Sequence, residues 1–578
     1  MHTNGAYKNW YYLYLHTSNI LVNQIMHVGC FLTMFKSTTK RILDLLLSPF
    51  TEHFLFLIAF FVFATSPYIC WQIISIHFYV NGIILFIHCV VLSYCVTLVI
   101  ALIKPTIVQK IIKTFLLCAS AIIYALNFYC VFKLGYLFDY DFALLIIDTT
   151  FKESKEFFST LVPIWIIISI SLTYIIFIVL FFFSKHYNLN LKKKSSLVAM
   201  GLMLLCMIQN ARSWGIWKNG PIMSLIEIHQ LDIPDDLKSY YTHPIISFNG
   251  NNESPITLVL IIGESFAKCH SSLYGYDKDT NPHLSNYSDS SSLFTFFDVT
   301  SPESTTAQSI KYMMSTYCKL DTANKNKKWY EYPSLIELMQ ECGFDCYWFS
   351  NQARGNKNNS TARIYAEACD SQWFLQQGGS DRGIDSDRNN LDIILVDSSS
   401  TFIQSLNPMK QHFIIYHMMG SHFDYSKRYP KEFTVFSESD YSEQPANQRT
   451  ILANYDNSIL YNDYVVAQII GLFRNRESVV IYLPDHGQVM FRDPKNPSYY
   501  VHGNNNDPVS YALGIEIPFI IYASPLFQQN HPDTMRRIKS RHNNPKAWDS
   551  DDLPYLILDL IGVKKVNGED VKDKSILD

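Results

Sequence analysis

Five long apolar segments constrain this chain more than any other feature. They lie at about 54–76, 79–103, 112–135, 161–184 and 196–216. A helix needs roughly 20 apolar residues to cross the hydrocarbon core of a bilayer, and each segment has about that length. The fifth is the most polar, because Gln209, Asn210 and Arg212 crowd its far end. Buried core helices can also be apolar, but five in succession, each of spanning length, point to a membrane domain. Composition agrees, since charged residues make up only 17% of the chain, against about 25% in soluble proteins.

The charges between the segments set an expected orientation. Lys36, Lys40 and Arg41 precede the first, Lys104, Lys110 and Lys113 stand between the second and third, and Lys185, Lys192, Lys193 and Lys194 lie between the fourth and fifth. The loop between the third and fourth is acidic instead, with Asp139, Asp141, Asp148, Glu153 and Glu156. Basic loops stay in the cytoplasm. Residues 1–50 are therefore expected as a cytoplasmic segment without a clear fold, 51–216 as five transmembrane helices, 217–254 as a linker and 255–578 as an exported domain, periplasmic in a Gram-negative cell. The first span is too long for a cleavable signal peptide and lacks a small-residue cleavage site. Met26 and Met34 leave a later start open. With a net charge of −4 and no long Lys/Arg block, nucleic acid is not an expected partner.

Seven of the twelve cysteines lie in or before the membrane region, where they pack as small apolar residues. Cys269, Cys318, Cys342, Cys346 and Cys369 lie in the exported part, where an oxidising compartment permits disulfides. Cys342 and Cys346 are close enough in sequence to pair, and the odd count leaves at least one thiol over.

From Pro255 onward short apolar runs alternate with helical stretches. "ITLVLIIGES", "FDCYWFSNQ", "QHFIIYHMMGSH", "ESVVIYLPDHG" and "IPFIIYAS" read as strands buried on both faces. "YPSLIELMQECG" and "LYNDYVVAQIIGLFRNR" have helical periodicity. This alternation predicts an α/β domain with a largely parallel sheet. In such sheets ligands gather at the carboxyl ends of the strands. Three of these strands end on residues that can hold a metal: Gly263-Glu264, Gly420-Ser421-His422 and Asp485-His486-Gly487. Carboxylate and imidazole ligands from separate chain positions are what a catalytic zinc site uses. A strand end also carries polar residues simply because it leaves the core, so the repetition at three ends carries the argument. "SPESTTAQSIKYMMSTYC" places Thr305 or Thr306 at a helix start, where free N–H groups favour phosphate. Spacing alone favours a plain N-cap there. Beside zinc, a threonine hydroxyl becomes acidic enough to attack.

In matching order, "GESFAKCHSSLYGYDKDTNPHL", "SPESTTAQS", "YWFSNQ", "HMMGSHFDYSKRYP", "YNDYVV", "LPDHGQ" and "VHG" resemble the membrane-bound phosphoethanolamine transferases of the alkaline phosphatase/sulfatase superfamily. These enzymes modify lipid A or the lipopolysaccharide core. The resemblance implies five spans followed by a periplasmic catalytic domain. It implies that Glu264, Asp485 and His486 hold catalytic Zn²⁺, that Thr306 is the nucleophile and lies close to that metal, and that His422 and His502 contact the phosphoethanolamine group or a second zinc. The family also has an acid in the periplasmic loop between spans three and four, following a Thr-Asn-Pro pattern; Glu153 is the matching residue, although Thr150 and Phe151 replace the Asn and Pro. The implied reaction takes phosphoethanolamine from phosphatidylethanolamine to lipopolysaccharide through a covalent threonine intermediate, at the inner membrane. Ser301-Pro302-Glu303-Ser304, where the lipid A branch has Cys-Gly, resembles the core-modifying branch. Two rivals remain: a glycerol phosphate transferase like the lipoteichoic acid synthases, and a non-enzymatic envelope assembly protein. A sulfatase would need Cys/Ser-x-Pro-x-Arg near Thr306, which the sequence lacks.

Overall fold

The computed structural model describes residues 26, 33–74, 79–134, 138, 162–186, 190–210, 236–248, 255–289, 291–319, 327–354, 361–376, 391–503 and 507–578. The chain divides into two units, Met1–Asp139 with Pro163–Ser224, and Tyr140–Val162 with Leu225–Asp578.

Helices occupy all five apolar segments of the first unit. They are α2 (Phe54–Ile74), α3 (Tyr79–Ala101), α4 (Thr106–Tyr129), α5 (Ile164–His186) and α6 (Lys193–Asn210). The third begins earlier than its hydropathy indicates, because Pro105 in extended backbone ends the preceding turn and lets a helix start at once after it. Residues 211–216, the end of the fifth predicted segment, lie outside the described residues. Among the described residues, two helical stretches are long and apolar enough to cross a membrane: Thr106–Lys133, with mean hydropathy 2.0, and Ile164–Phe181, with 2.7. Along α5, Ile164, Ile167, Ile168, Ile175 and Phe181 are all exposed. An exposed apolar face of that length suits lipid tails rather than water. Ser93 donates to the Cys89 carbonyl and Thr97 to that of Ser93, so both hydroxyls are satisfied within their own helix, as suits a hydrocarbon surrounding.

A further helix, α1 (Thr33–Thr51), precedes them and meets the start of α2 at 59°. The sequence shows no clear fold here, yet α1 is held at its end. Phe50 stacks on Tyr94 at 5.5 Å, and the Tyr94 hydroxyl donates to Leu46 O.

The second unit is built on a seven-stranded sheet. Its strands are β1 (Thr257–Gly263), β2 (Leu293–Phe296), β3 (Asp345–Ala353), β4 (Ser371–Gln376), β5 (His412–His417), β6 (Ser478–Pro484) and β7 (Phe519–Ala523), in the order β2-β7-β6-β1-β5-β3-β4. Strands β6, β1, β5, β3 and β4 pair in parallel, while β7 runs antiparallel to β6 and β2 antiparallel to β7. All five apolar runs named from the sequence are strands of this sheet. The sheet is thus largely parallel, as expected; the direction of β7 is not readable from the sequence, since a buried apolar run looks the same in either sense. Every residue of β1, β5 and β6 is buried, so the runs are continuous rather than alternating.

Leu260, Ile262, Phe413, Ile415, Ile481 and Leu483 fill one face with α7 (Thr306–Met313) and α8 (Leu335–Glu341). A fully buried Leu or Ile contributes about 1.5–3 kcal/mol, so this layer fixes the strand ends firmly. Helix α8 stops at Cys342, followed by Gly343 at φ +85, the left-handed stop that glycine supplies without strain. Cys342 and Cys346 are not joined; with Cys269 and Cys369 they are free thiols. Cys342 caps α8, whereas Cys346 lies buried within β3. The long α9 (Ala446–Phe473) is anchored to the sheet by Asn462, which donates to the Tyr482 hydroxyl at 2.5 Å.

Candidate active site

Strands β1 and β6 are paired in register, with Gly263 opposite Pro484. The residues that follow, Glu264 and Asp485, therefore emerge side by side. Asp485 N donates to Gly263 O at 3.1 Å. On the other side β5 ends at His417, and its loop folds over β1 so that Ser421 N donates to Glu264 O at 3.0 Å. Two glycines make this fit. A Cβ at Gly263 would lie 2.7 Å from the Tyr482 hydroxyl oxygen, and one at Gly420, which has φ +48, would lie 2.8 Å from Glu264 N.

Glu264, Asp485 and His486 are buried, and one ligand atom from each lies within 4.8 Å of the others. His486 Nε2 is 3.3 Å from Glu264 Oε1 and 3.6 Å from Asp485 Oδ2. Among the described residues, neither Asp485 Oδ2 nor His486 Nε2 has a hydrogen-bond partner. His486 Nδ1 donates to Gly487 O at 2.7 Å, which leaves Nε2 as the ring atom free for a cation.

The electrostatics have the same sense. Burial, then the Glu264 charge, push the Asp485 carboxyl up to about 8. Burial opposes the charge on His486, but Asp485 and Glu264 outweigh it and raise the imidazole to about 9. Burial also opposes Glu264 ionisation. It is overcome by the neighbouring His486, whose charge 3.3 Å away holds that carboxyl well below the usual range. The buried Asp485 carboxyl and His486 imidazole thus hold protons beside the Glu264 carboxylate, and a divalent cation would take the place of those protons. The oxygen and nitrogen donors fit zinc.

Thr305 is the extended N-cap residue of α7 and makes no side-chain capping bond. Thr306, the first helical residue, instead donates its hydroxyl to Glu264 Oε2 at 3.2 Å and also stabilises the Asp485 carboxylate. The geometry thus separates the two threonines that spacing left open. His502 approaches His486 with ring centroids 4.7 Å apart. Burial and the His486 charge press its pKa down to about 3. Its loop is drawn in by close backbone packing: a Cβ on Gly514, in α10 (Pro508–Ile515), would lie 2.4 Å from Gly503 Cα. His422 is half-buried, with Nδ1 on Phe423 O at 2.5 Å, and its charge reaches both Glu264 and His502. Glu153 lies outside the described residues.

Sequence reasoning gave no role to two groups that touch these residues. Gln352 Nε2 donates to Glu264 Oε2 at 3.0 Å and to Met418 O at 2.9 Å. Its signal was present, since it ends the "YWFSNQ" strand at the same sheet edge. Ser265 donates its hydroxyl to Glu264 Oε1 at 2.6 Å and its N–H to Asp485 Oδ1 at 3.1 Å.

The profile of the Sulfatase family matches residues 256–563, more than half of the chain. The protein belongs to the Sulfatase family. Within it, the chain is similar to "Phosphoethanolamine transferase EptC" of Escherichia coli K12, with 29% identity over 298 residues, 50% of this chain and 49% of that protein. The chain's match spans about half the length of such curated relatives. Among solved structures, the C-terminal periplasmic domain of Escherichia coli EptC in complex with Zn is 25% identical, covering 58% of this chain and 90% of that one with a TM-score of 0.50. The integral membrane protein lipooligosaccharide phosphoethanolamine transferase A from Neisseria meningitidis is 20% identical and has a TM-score of 0.65. It covers 91% of this chain and 98% of its own, so this sulfatase-family member shares the fold of an integral membrane protein over nearly its whole length. The family resemblance read from the seven motifs holds.

Proposed function

We propose that this protein transfers phosphoethanolamine from phosphatidylethanolamine to lipopolysaccharide, with a core heptose favoured over lipid A as acceptor. The observation that carries this reading is the Thr306 hydroxyl on Glu264, beside buried Asp485 and His486, in a chain whose relatives bear the name phosphoethanolamine transferase. Glu264, Asp485 and His486, with Thr306 alongside, would hold zinc, whose charge would make the Thr306 hydroxyl more acidic and offset negative charge on the phosphoryl group. Thr306 Oγ would bond to phosphorus as the bond from phosphorus to the diacylglycerol oxygen breaks. The threonine proton is lost and diacylglycerol leaves with one gained. An acceptor hydroxyl would then displace Thr306 from phosphorus, restoring the free threonine. His422, His502 and Glu153 would bind the phosphoethanolamine group.

Residues 51–216 would cross the inner membrane five times, with 1–50 in the cytoplasm, 217–254 as linker and 255–578 in the periplasm. Tethering suits the chemistry, because donor and acceptor are both lipids and a shared membrane raises their effective concentration.

Mass spectrometry of the Thr306 peptide, after the purified protein meets phosphatidylethanolamine or phosphatidylglycerol, tests the reading. A phosphoethanolamine adduct on Thr306 is expected. A glycerophosphate adduct would move the protein to the lipoteichoic-acid-synthase type. Neither an adduct nor released diacylglycerol from a zinc-loaded sample would overturn the catalytic reading.

A further inference from the structure

Ser265 bonds both Glu264 and Asp485, and it does so in a backbone conformation it would not choose. Its φ is +57, the left-handed region that a residue with a Cβ holds only where its surroundings impose it. Tyr455, fully buried on α9, supplies the constraint. Its hydroxyl donates to Ser265 O at 2.7 Å and accepts from Ala267 N at 2.8 Å, so one oxygen closes the turn after β1. The phenol is itself fixed. Its ring meets His270 edge-on at 5.0 Å and Tyr425 at 4.8 Å. The next residue, Asp456, takes His270 Nδ1 at 2.6 Å, the Tyr276 hydroxyl at 2.7 Å and the Tyr441 hydroxyl. Adjacent residues of one helix thus grip the whole 265–276 segment.

We infer that Tyr455 is a positioning residue for the metal site, acting through the Ser265 turn to hold Glu264 and Asp485 in their shared geometry. It touches no ligand atom itself. Without its hydroxyl, Ser265 O and Ala267 N lose a buried partner. The turn then relaxes toward ordinary φ, and the N–H and hydroxyl of Ser265 leave Asp485 and Glu264. The inference rests on the zinc reading of the site.

The test uses the full-length, detergent-solubilised protein and measures zinc affinity by competition with a chelator, independently of activity. Tyr455→Phe is expected to weaken zinc binding on the order of 10–100-fold, the usual effect of losing a group that orients ligands. Tyr274→Phe is the matched control. The Tyr274 hydroxyl also bridges two backbone groups, Phe519 O at 2.6 Å and Phe519 N at 2.8 Å, but it bonds neither Ser265 nor a ligand. It should lower the melting temperature in the same manner and leave zinc affinity within about twofold, since a bond remote from the ligands acts on stability alone. Ser265→Gly, which adopts positive φ freely, should weaken zinc binding through its lost hydroxyl. In that background Tyr455→Phe should add little, because coupled residues are non-additive. Unchanged affinity in Tyr455→Phe, an equal loss in Tyr274→Phe, or additive losses in the double variant would overturn the inference alone. Should Tyr455→Phe not fold, wild-type affinity in Ser265→Gly overturns it. A wild type that takes up no zinc removes the metal reading, and the inference with it.

Discussion

The Thr306 hydroxyl donates to Glu264 Oε2 at 3.2 Å, although the two residues come from different elements 42 positions apart. Thr305, one residue earlier, caps α7 without a side-chain bond. Replacing each by alanine separates nucleophile from cap. Thr306→Ala is expected to lower transfer on the order of 10³-fold or more, as removal of a nucleophile does, while zinc content stays at the wild-type level. Thr305→Ala should keep most activity. Assay of headgroup transfer, paired with metal analysis of both variants, checks this.

Removing Glu264 should act on the metal instead. Glu264→Ala takes away one of the three buried groups that could hold a metal, and the purified variant is expected to contain little zinc by elemental analysis. A full complement would count against Glu264 as a ligand.

The metal-free protein should lose stability as pH rises. In the fold Asp485 is raised from 3.8 to about 8 and His486 from 6.5 to about 9. Both groups bind protons more tightly folded than unfolded. Their contribution is complete below the unfolded values and is lost progressively up to the folded ones, so stability falls across roughly pH 4 to 9. Zinc binding must expel these protons, so at pH 7 it should release more than one proton per metal. Melting temperatures of stripped and loaded protein across this range, with calorimetry in buffers of different ionisation enthalpy, measure both effects.

Gln352 bonds the same carboxylate oxygen as Thr306 and ties it to Met418 O. Gln352→Leu has similar bulk and no amide. It should reduce turnover about 10–100-fold with little change in apparent substrate affinity, because it orients Glu264 without touching donor or acceptor. A change confined to KM would reassign Gln352 to substrate binding.

Gly420→Ala should be costly for two reasons. The residue has φ +48, and its new Cβ would lie 2.8 Å from Glu264 N. Left-handed strain of about 1–2 kcal/mol and overpacking of about 1–3 kcal/mol should add to a clear drop in melting temperature and a looser zinc site. Gly343→Ala, with φ +85 and open space around it, should show the strain alone.

The parts of this fold that depend on local hydropathy were readable in the sequence. The five apolar segments became helices, and the five strand runs all entered one sheet. Glu264, Asp485 and His486 were readable because each follows such a run. What escaped was set by partners distant in the chain. Helix α1 is fixed by Phe50 on Tyr94, and its own periodicity did not announce it. The antiparallel sense of β7 comes from its place in the sheet, and β2 and β4 are the two edge strands, each with polar residues in its run. Thr306 could not be told from Thr305 by spacing, because one residue of helix phase decides which hydroxyl faces β1. Ser265 and Tyr455 gave no signal, since a lone serine and a tyrosine within a helical run look like ordinary filler.

The level ends of β1 and β6 have a bearing on when the metal can be acquired. Ser265 and Asp485 are 220 residues apart in the chain yet adjacent across one strand pair. A chain made from its amino end offers a single carboxylate until residues 485 and 486 have followed and β6 has docked in register. A shift by one residue would turn Asp485 to the opposite face of the sheet. On the zinc reading, metal uptake would proofread the assembled sheet: only a chain that has paired these two strands in register brings Glu264 beside Asp485 and His486.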